Sequence, residues 1–280
     1  MLLRDKVAIV TGSSKGIGRG IAQRFAREGA KVVVNGRALE AVEQTADEIH
    51  RDGGSVLAVP GDVTSRADVD RLFDATIQAF GTVDILVNNA QTPVNRGESG
   101  PFLAMSPDGW DAYVAANLGA LFYCTYQAVQ IMAPLRRGSI INISSNGAAR
   151  AHRRSIAYDS VKGAMDSFTR AVAVDLAPWG IRVNGIRPGL IAVDNWEEQS
   201  EEEKNRRRRV IPLGREGYPS DVAWAAVFFA SDDSFYTTGQ LFEVDGGLLV
   251  QGRAPVAELQ PIATPDNTPL PIPRPRTTAR

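Results

Sequence analysis

The chain has very little cysteine or histidine, with one cysteine and two histidines in 280 residues. A single cysteine cannot form an internal disulfide, and without Cys or His clusters there is no zinc-binding pattern, so we expect no bound metal. Cys124 lies in an apolar stretch that is typical of a helix. We interpret it as a small buried hydrophobe rather than a reactive thiol.

The chain also lacks a strong net charge and a long apolar run. Its formal charge is −1, so no global field favours binding to nucleic acid or to an anionic membrane. No apolar run approaches the roughly 18 residues that a membrane-spanning helix needs, and the N-terminal residues run straight into the first predicted strand. We therefore expect a cytoplasmic protein that binds neither nucleic acid nor membrane.

Two kinds of apolar segment alternate along the chain. Short runs predict strands at Val7–Val10, Lys31–Asn35, Ser55–Val59, Asp84–Val87, Ser139–Ile143, Arg182–Ile186 and Leu241–Val244. Segments with helical periodicity lie between them, at Ile17–Glu28, Leu39–Arg51, Arg66–Phe80, Trp110–Met132, Ala157–Ala177 and Asp221–Ala230. This alternation predicts an α/β fold, a single doubly wound (Rossmann) domain with a parallel seven-stranded sheet and helices on both faces. Ligands of such a sheet bind at the carboxyl ends of its strands.

The domain is expected to span residues 1–250, because residues 251–280 differ in composition. This last segment has seven prolines, four arginines and almost no periodic apolar pattern. Proline lacks an N–H donor and fixes φ, so the segment cannot form a central strand or a long helix. An extended tail is the favoured interpretation. The alternative is an arm that packs onto a neighbouring subunit through its apolar residues, Leu259, Ile262, Leu270 and Ile272.

A glycine-rich stretch, Thr11-Gly-Ser-Ser-Lys-Gly-Ile-Gly18, follows the first predicted strand and opens the first predicted helix. Glycine lets the backbone approach phosphates closely, and a helix N-terminus offers them unpaired N–H groups. The spacing of Gly12, Gly16 and Gly18 differs from the Gly-x-Gly-x-x-Gly of longer dehydrogenases. The position between strand and helix nevertheless predicts a dinucleotide site.

The end of the second predicted strand favours NADP over NAD. An acidic residue there would bind the ribose hydroxyls of NAD and repel a 2′-phosphate. This chain has Val34-Asn-Gly-Arg37 at that place, and the fork of an arginine suits phosphate oxygens. Lys15 in the glycine-rich loop supplies a second positive charge. The alternative is that both are solvated surface cations.

Tyr158 and Lys162 lie four residues apart at the start of a predicted helix, so they share one helix face. A phenol beside a fixed ammonium can serve as a proton donor. Ser145 lies 13 residues before Tyr158. Together with the glycine-rich loop, these residues predict hydride transfer to or from a nucleotide cofactor, with Tyr158 handling the proton.

The chain resembles the short-chain dehydrogenase/reductase family over about residues 5–247. The residues that carry the resemblance are Thr11-Gly-Ser-Ser-Lys-Gly-Ile-Gly18, Asp62-Val63, Asn88-Asn-Ala90, Asn117, Ile143-Ser-Ser145, Tyr158-x-x-x-Lys162, Asn184-x-Ile-x-Pro-Gly189 and Asp245-Gly-Gly247. Each occurs by chance elsewhere, but their order and spacing together are specific.

The resemblance implies a role for each of four catalytic residues. Tyr158 would give its proton to a carbonyl oxygen, or take it from an alcohol, and its pKa would have to fall below the usual value near ~10. Lys162 and the oxidised nicotinamide would favour the phenolate, and Lys162 would also hold the nicotinamide ribose. Ser145 would orient the substrate oxygen. Asn117 would hold a water that passes protons to Lys162.

The resemblance also implies contacts with the cofactor from the loops at the carboxyl ends of the strands. Those after the third strand would flank the adenine, those after the fourth would line the ribose side, and those after the sixth would meet the nicotinamide. The full expected set is Gly12, Ser14, Lys15, Ile17, Gly18, Arg37, Asp62, Val63, Asn89, Ala90, Tyr158, Lys162, Pro188, Gly189 and Ile191.

Two positions depart from the family pattern. Gln91 stands where the family usually has glycine, and it would be strained if its backbone needed a positive φ. The favoured interpretation is that the turn accommodates it and that its side chain projects towards the mouth of the site. Val193 stands where many relatives have a threonine that hydrogen-bonds the nicotinamide carboxamide. Valine cannot make that bond, so the backbone must supply it or the contact is lost.

The resemblance implies that three segments that vary in the family form the substrate pocket, here residues 91–102, 146–156 and 194–218. The middle segment holds Arg150, His152, Arg153 and Arg154, which could attract an anionic substrate or could simply be solvated. In the last segment, favourable i,i+4 pairs of Glu202 with Arg206 and of Glu203 with Arg207 predict a charged helical lid at about residues 190–218.

The sequence therefore predicts an NADP(H)-dependent oxidoreductase acting on a carbonyl or secondary alcohol. A reductase of 3-oxoacyl thioesters or another small ketone competes with a sugar or polyol dehydrogenase. A catalytically silent nucleotide-binding regulator is a further alternative, disfavoured because all four catalytic residues are intact. By resemblance, we expect a homo-oligomer, a dimer or tetramer (a homotetramer is favoured), formed through the segments Trp110–Met132 and Ala157–Ala177.

Overall fold

The computed structural model describes residues 1–93, 100–194 and 196–252. Most of the predicted C-terminal tail, including the apolar residues of the alternative docked arm, lies outside the described residues. So does part of the first variable segment, at positions 94–99.

Seven parallel strands form one sheet in the described part of the chain. They are β1 (Val7–Val10), β2 (Lys31–Gly36), β3 (Ser55–Pro60), β4 (Ile85–Asn88), β5 (Gly138–Ile143), β6 (Ile181–Pro188) and β7 (Leu241–Val244). Their spatial order is β3-β2-β1-β4-β5-β6-β7, and every neighbouring pair is parallel. The predicted doubly wound sheet is confirmed. Its order reverses between β1 and β4, which is where such sheets form a crevice for ligands.

The helices are α1 (Gly16–Arg27), α2 (Leu39–Arg51), α3 (Arg66–Phe80), α4 (Pro107–Leu135), α5 (Ile156–Leu176), α6 (Glu201–Arg208) and α7 (Pro219–Ala230). The largest difference from prediction is at α4, which begins three residues earlier, at Pro107 instead of Trp110. Ser106 caps it by accepting a hydrogen bond from Gly109 N at 3.2 Å. Proline suits the next position because its missing N–H would have had no helical partner.

Helices bury apolar side chains on both faces of the sheet. On one face α1, α2 and α7 contribute residues such as Phe25 and Val227. On the other face α3, α4 and α5 contribute residues such as Leu72 and Cys124. Burial raises the pKa of Cys124 to about 12, so this thiol is a packing residue, as predicted from the sequence.

A ladder of buried side-chain hydrogen bonds crosses the centre of the molecule. Asn88 Nδ2 donates to Asn142 Oδ1 at 2.9 Å and to Thr125 Oγ1 at 3.1 Å. Asn142 Nδ2 in turn donates to Thr169 Oγ1 at 2.8 Å. The ladder joins the ends of β4 and β5 to the middle of α4 and α5. These are the elements that carry the four predicted catalytic residues.

Within the described residues, none of the helices is long and apolar enough to span a bilayer. The same residues contain no group of three or more His, Cys, Asp or Glu side chains placed to hold a metal ion.

We expect Asn142→Ala to lower the free energy of unfolding by about 2 kcal/mol, because it strips buried amide and hydroxyl groups of their partners. Urea unfolding followed by circular dichroism measures this. Asn205→Ala is the control, because Asn205 is exposed on α6 and its loss should change stability by less than about 0.5 kcal/mol. Equal stabilities of the two variants would contradict a structural role for the ladder.

Candidate active site

Two cavities meet at the carboxyl edge of the sheet. The first, of about 560 Å³, lies over the ends of β1, β2, β3 and β4. The second, of about 950 Å³, lies over the end of β5 and the start of α5. Both are lined by Ile17, Asn89, Gln91 and Val193. The two cavities therefore form one continuous groove. We call the first the nucleotide cavity and the second the catalytic cavity.

Predicted cofactor residues divide between these cavities. Those on the nucleotide cavity are Gly12, Ser14, Lys15, Ile17, Arg37, Asp62, Val63, Asn89 and Ala90. Those on the catalytic cavity are Tyr158, Lys162, Pro188, Gly189 and Ile191. Gly18 is on neither lining and lies beneath the loop.

The glycine-rich loop follows β1 closely and leaves no space for side chains at two positions. Gly12 has φ of 60°, and a Cβ there would lie 2.8 Å from Ala90 Cα. A Cβ on Gly18 would lie 2.4 Å from both Gly12 O and Asn89 Nδ2. Asn89 Nδ2 donates to Thr11 O at 2.9 Å and Gly12 O at 3.0 Å. The loop is thereby fixed against the end of β4, with its backbone facing the cavity.

Asn35 has a structural role that the sequence analysis missed. It is 2 % exposed, and its Nδ2 donates to Val59 O at 3.2 Å and Gly61 O at 3.3 Å. Its Oδ1 accepts a long hydrogen bond from Gly12 N at 3.5 Å. An amide both donates and accepts, so it can join β3 to the glycine-rich loop. The only sequence signal was a single polar residue in an apolar strand.

Among the described residues that line the nucleotide cavity, two cationic side chains are free. The side chains of Lys15 and Arg37 make no hydrogen bond or ion pair with the described residues, and both are exposed. The two carboxylates on the lining are already engaged. Asp194 pairs with Arg19 at 2.8 Å. Asp62 Oδ1 accepts hydrogen bonds from the backbone N–H and the hydroxyl of Thr64. This cavity can therefore receive an anion at the end of β2.

Ser145, Tyr158 and Lys162 come together in the catalytic cavity. Ser145 Oγ accepts a hydrogen bond from Gly147 N at 3.0 Å and donates one to Asn146 Oδ1 at 3.1 Å. Lys162 is 3 % exposed, and its Nζ donates to Ile143 O at 2.8 Å. Its ammonium lies 5.8 Å from the centre of the Tyr158 ring. The hydroxyl, phenol and ammonium thus share one wall of the cavity.

The electrostatics of this wall differ from the sequence expectation. Burial raises the pKa of Tyr158, the neighbouring Ser145 hydroxyl opposes this rise, and the Asp159 carboxylate raises the pKa further. Burial also lowers the pKa of Lys162 to about 8, which the Asp166 carboxylate opposes. The protein's own groups therefore raise the pKa of Tyr158, whereas the sequence analysis expects Lys162 and an oxidised nicotinamide together to lower it. A pKa of about 8 leaves Lys162 mostly charged at neutral pH.

Asp166 is a second residue that the sequence analysis missed. It is buried one helical turn after Lys162, and its Oδ2 accepts from Arg187 Nε at 2.9 Å. Its Oδ1 is buried with no hydrogen-bond partner among the described residues. Arg187 also pairs with Glu243 at 2.8 Å. The i,i+4 spacing from Lys162 was the available signal, but the burial of both groups could not be read from it.

Asn117 lies at the nucleotide cavity, on α4. Its Oδ1 accepts from Thr92 N at 3.0 Å, and its Nδ2 donates to Tyr113 O at 2.8 Å. Gln91 Nε2 donates to the hydroxyl of Tyr113 at 2.8 Å. Gln91 is not among the described non-glycine residues with positive φ. The turn therefore accommodates Gln91 as expected, and its side chain lines both cavities.

The segment after β6 closes the groove. A Cβ on Gly189 would lie 2.7 Å from Asp245 Cα, so this position admits only glycine. Ile191 forms an isolated parallel bridge with Gly217. Val193 lies over the glycine-rich loop, with its Cγ1 3.4 Å from where a Cβ on Gly16 would be. Its side chain is apolar, as the sequence analysis noted.

Helix α6 lies in the predicted lid, but the predicted i,i+4 pairs do not form. Instead Lys204 pairs with Glu197 at 3.0 Å and with Glu201 at 3.4 Å. Arg208 makes hydrogen bonds of 2.5 and 2.9 Å to Glu216, which lies beyond the helix. Arg207, one of the predicted partners, donates to Gln199 Oε1 at 2.9 Å and lies over the ring of the buried Trp196.

Comparisons with known proteins found similar sequences and a similar fold. The family model described as enoyl-(acyl carrier protein) reductase matches residues 12–249. The chain is 37% identical to a 3-oxoacyl-[acyl-carrier-protein] reductase of Synechocystis sp., covering 89% of this chain and 98% of the relative. It is 40% identical to an L-rhamnose 1-dehydrogenase (NAD(P)(+)) of Azotobacter vinelandii, covering 89% and 99%.

A solved structure is also similar to the whole described domain. It is that of a putative gluconate dehydrogenase from Agrobacterium tumefaciens, with a TM-score of 0.83 and 34% sequence identity. The match covers 89% of this chain and 98% of the other.

We expect Asp166→Asn to lower the pKa of Lys162 further, because burial would then act without the opposing carboxylate. The ammonium would lose its proton at a lower pH. The chain has only five lysines, so the titration of each ¹³Cε signal can be followed by NMR. Asp175→Asn, an exposed change on the same helix, should leave the titration of Lys162 in place. An unchanged titration in Asp166→Asn would refute the coupling.

Proposed function

The chain belongs to the short-chain dehydrogenase/reductase family, and we propose that it transfers a hydride between NADP(H) and a carbonyl or secondary alcohol. The observation that carries the proposal is the meeting of Ser145, Tyr158 and Lys162 in a cavity that opens onto the nucleotide cavity. A hydride donor and a proton donor can then act on the same C=O group. The named relatives are oxidoreductases as well.

In the reductive direction, Tyr158 would give its phenolic proton to the carbonyl oxygen while Ser145 holds that oxygen by a hydrogen bond. The dihydronicotinamide supplies the hydride when the cofactor is bound. In the oxidative direction Tyr158 would take the proton from the alcohol. Both residues line the catalytic cavity, so one substrate oxygen can reach both hydroxyls.

Lys162 would supply the charge that makes Tyr158 a usable acid and base. Burial alone raises the pKa of Tyr158, so proton transfer near neutral pH requires positive charge close to the phenol. The ammonium of Lys162 is beside the ring and remains mostly protonated below its pKa of about 8. The positive charge of an oxidised nicotinamide would act in the same direction. We also propose that Lys162 holds the nicotinamide ribose and that Asn117 holds a water on the proton path.

The residues of the nucleotide cavity fit a dinucleotide. A Cβ at Gly18 would collide with the loop, and the start of α1 offers backbone N–H groups to a pyrophosphate. The NADP preference is supported by the free side chains of Lys15 and Arg37. It is supported also by Asn35, whose neutral amide stands where a carboxylate would repel a 2′-phosphate.

Two substrate classes remain compatible with the site. One relative is named for 3-oxoacyl reduction and another for L-rhamnose oxidation. A small ketone or 3-oxoacyl thioester is our first proposal, and a sugar or polyol is the second. A silent regulator is disfavoured, because such a protein has no need for a buried lysine on the same cavity wall as Ser145 and Tyr158.

We further propose a homo-oligomer formed through α4 and α5. Their outer faces expose apolar side chains, including Phe122, Tyr126 and Val174, and exposed apolar patches are typical of subunit contacts. Sedimentation that detects only monomer at micromolar concentration would remove this proposal.

We expect Tyr158→Phe to reduce kcat by about 100-fold or more, because it removes the proton donor. Steady-state reduction of a panel of ketones by NADPH measures this. Binding of NADPH, followed by its fluorescence, should persist in the variant. Tyr236→Phe is the matched control, because Tyr236 is exposed and lines neither cavity of the groove. Full turnover by Tyr158→Phe would show that another group moves the proton.

We expect the double variant Lys15→Gln, Arg37→Gln to lose its preference for NADPH over NADH by about tenfold, which corresponds to 1.4 kcal/mol of phosphate binding. Dissociation constants for the two cofactors, measured side by side, give the preference. Arg51→Gln, at the far end of α2, is the control for loss of surface charge. Equal affinity of the unmodified protein for NADPH and NADH would overturn the assignment.

A further inference from the structure

We propose that the catalytic cavity contains an anion subsite, formed by Arg150, Arg153 and Arg207, which selects substrates that carry a carboxylate or phosphate group. The subsite rests on the proposed function, because it specifies the chemical class of the carbonyl or alcohol that reaches Tyr158.

Basic side chains line the catalytic cavity from two sides. Arg150, His152 and Arg153 line it from the segment between β5 and α5. Arg207 lines it from α6, across the mouth of the cavity. Arg154, the next residue along, is not on the lining. When a substrate oxygen is held at Tyr158, the rest of the substrate would therefore lie among these arginines.

These charges are not neutralised inside the cavity. Among the described residues that line it, none is an aspartate or a glutamate. The nearest acidic side chain of the segment, Asp159, accepts a hydrogen bond from His152 N at 2.6 Å and lies 2.9 Å from His152 Nδ1. Its oxygens are thus already bound to the loop. The nucleotide cavity is different, because two carboxylates stand on its lining beside Lys15 and Arg37.

The three guanidinium groups keep donors for a ligand. Arg153 makes no side-chain hydrogen bond or ion pair with the described residues. Arg150 makes one long bond, from Nη1 to Leu248 O at 3.4 Å. Arg207 donates to Gln199 Oε1 at 2.9 Å and lies over the Trp196 ring at 5.4 Å. None of the three has a carboxylate partner in the part of the chain that the structure describes.

The loop that carries two of these arginines is fixed in place. Asp159 holds it through His152, and a Cβ on Gly147 would lie 2.3 Å from Asp159 Oδ1. The backbone carbonyl of Arg154 accepts from Gly100 N at 3.0 Å. A fixed loop loses little conformational entropy on binding, which favours a ligand site over a solvated surface.

Planar guanidinium forks suit the paired oxygens of a carboxylate or phosphate. Two sources could supply this group. One is a carboxylate on the carbon skeleton that reacts, and the other is a phosphate on a thioester carrier such as coenzyme A. The same subsite chemistry serves both, so the experiment separates them with one matched pair of ligands for each.

The experiment measures binding to the complex with NADP⁺, in which a ketone cannot be reduced. Calorimetry compares 4-oxopentanoate with its methyl ester, and 3-oxobutyryl-coenzyme A with the uncharged 3-oxobutyryl-N-acetylcysteamine. We expect the anionic member of at least one pair to bind about tenfold more tightly, a difference of 1.4 kcal/mol. The pair that shows the difference identifies the source of the anion.

The variants Arg153→Gln and Arg207→Gln should each shrink this ratio, and their combination with Arg150→Gln should abolish it. Arg154→Gln and Arg206→Gln are neighbouring arginines off the cavity lining and should preserve it. Equal binding within both pairs, no measurable binding of any ligand, or a ratio that survives the triple variant would overturn the subsite. Failure of the unmodified protein to reduce any neutral or anionic ketone with NADPH would instead overturn the proposed function.

Discussion

The hydrogen bond between the side chains of Asn88 and Asn142 is the constraint on which the site depends. It lies in the interior of the sheet, where an unpaired amide would be costly. Its continuation to Thr125 and Thr169 fixes how α4 and α5 sit on the strands. Since α5 carries both Tyr158 and Lys162, the ladder also sets their position against Ser145 at the end of β5. Catalytic geometry and core stability thus share one set of polar contacts.

A second constraint is the burial of a charge beside the reacting groups. Lys162 loses hydration in the core, and the backbone of Ile143 and the carboxylate of Asp166 compensate for part of that loss. Asp166 is itself paired with Arg187. Arg187 lies two residues before Gly189, in the segment that closes the groove. The same ionic chain therefore links the proposed proton site to the segment proposed to meet the nicotinamide. The protein therefore keeps the positive charge of Lys162 near the phenol at neutral pH, although burial removes the hydration of that charge.

Much of the fold could be predicted because buried parallel strands and amphipathic helices leave distinct apolar patterns. The grouping of Ser145, Tyr158 and Lys162 followed from helix geometry and family resemblance. What escaped prediction depends on tertiary surroundings. The pair expected between Glu203 and Arg207 within α6 does not form, and Arg207 donates to Gln199 before the helix instead, because helix spacing says nothing about polar groups on neighbouring segments. Burial raises the pKa of Tyr158, and the spacing of two residues in the sequence does not show how deeply they are buried. In the sequence, Asn35 matters only because it carries no negative charge. In the structure, its amide joins three backbone segments.

The most direct test of this account is a crystal structure of the protein with NADP⁺. The account predicts that the adenosine 2′-phosphate lies between Lys15 and Arg37, and that the nicotinamide lies against the segment from Pro188 to Ile191. The nicotinamide ribose should then be within hydrogen-bond distance of Lys162, with C4 of the ring facing the hydroxyls of Ser145 and Tyr158. A nicotinamide bound away from these hydroxyls, or a nucleotide in another cavity, would contradict it.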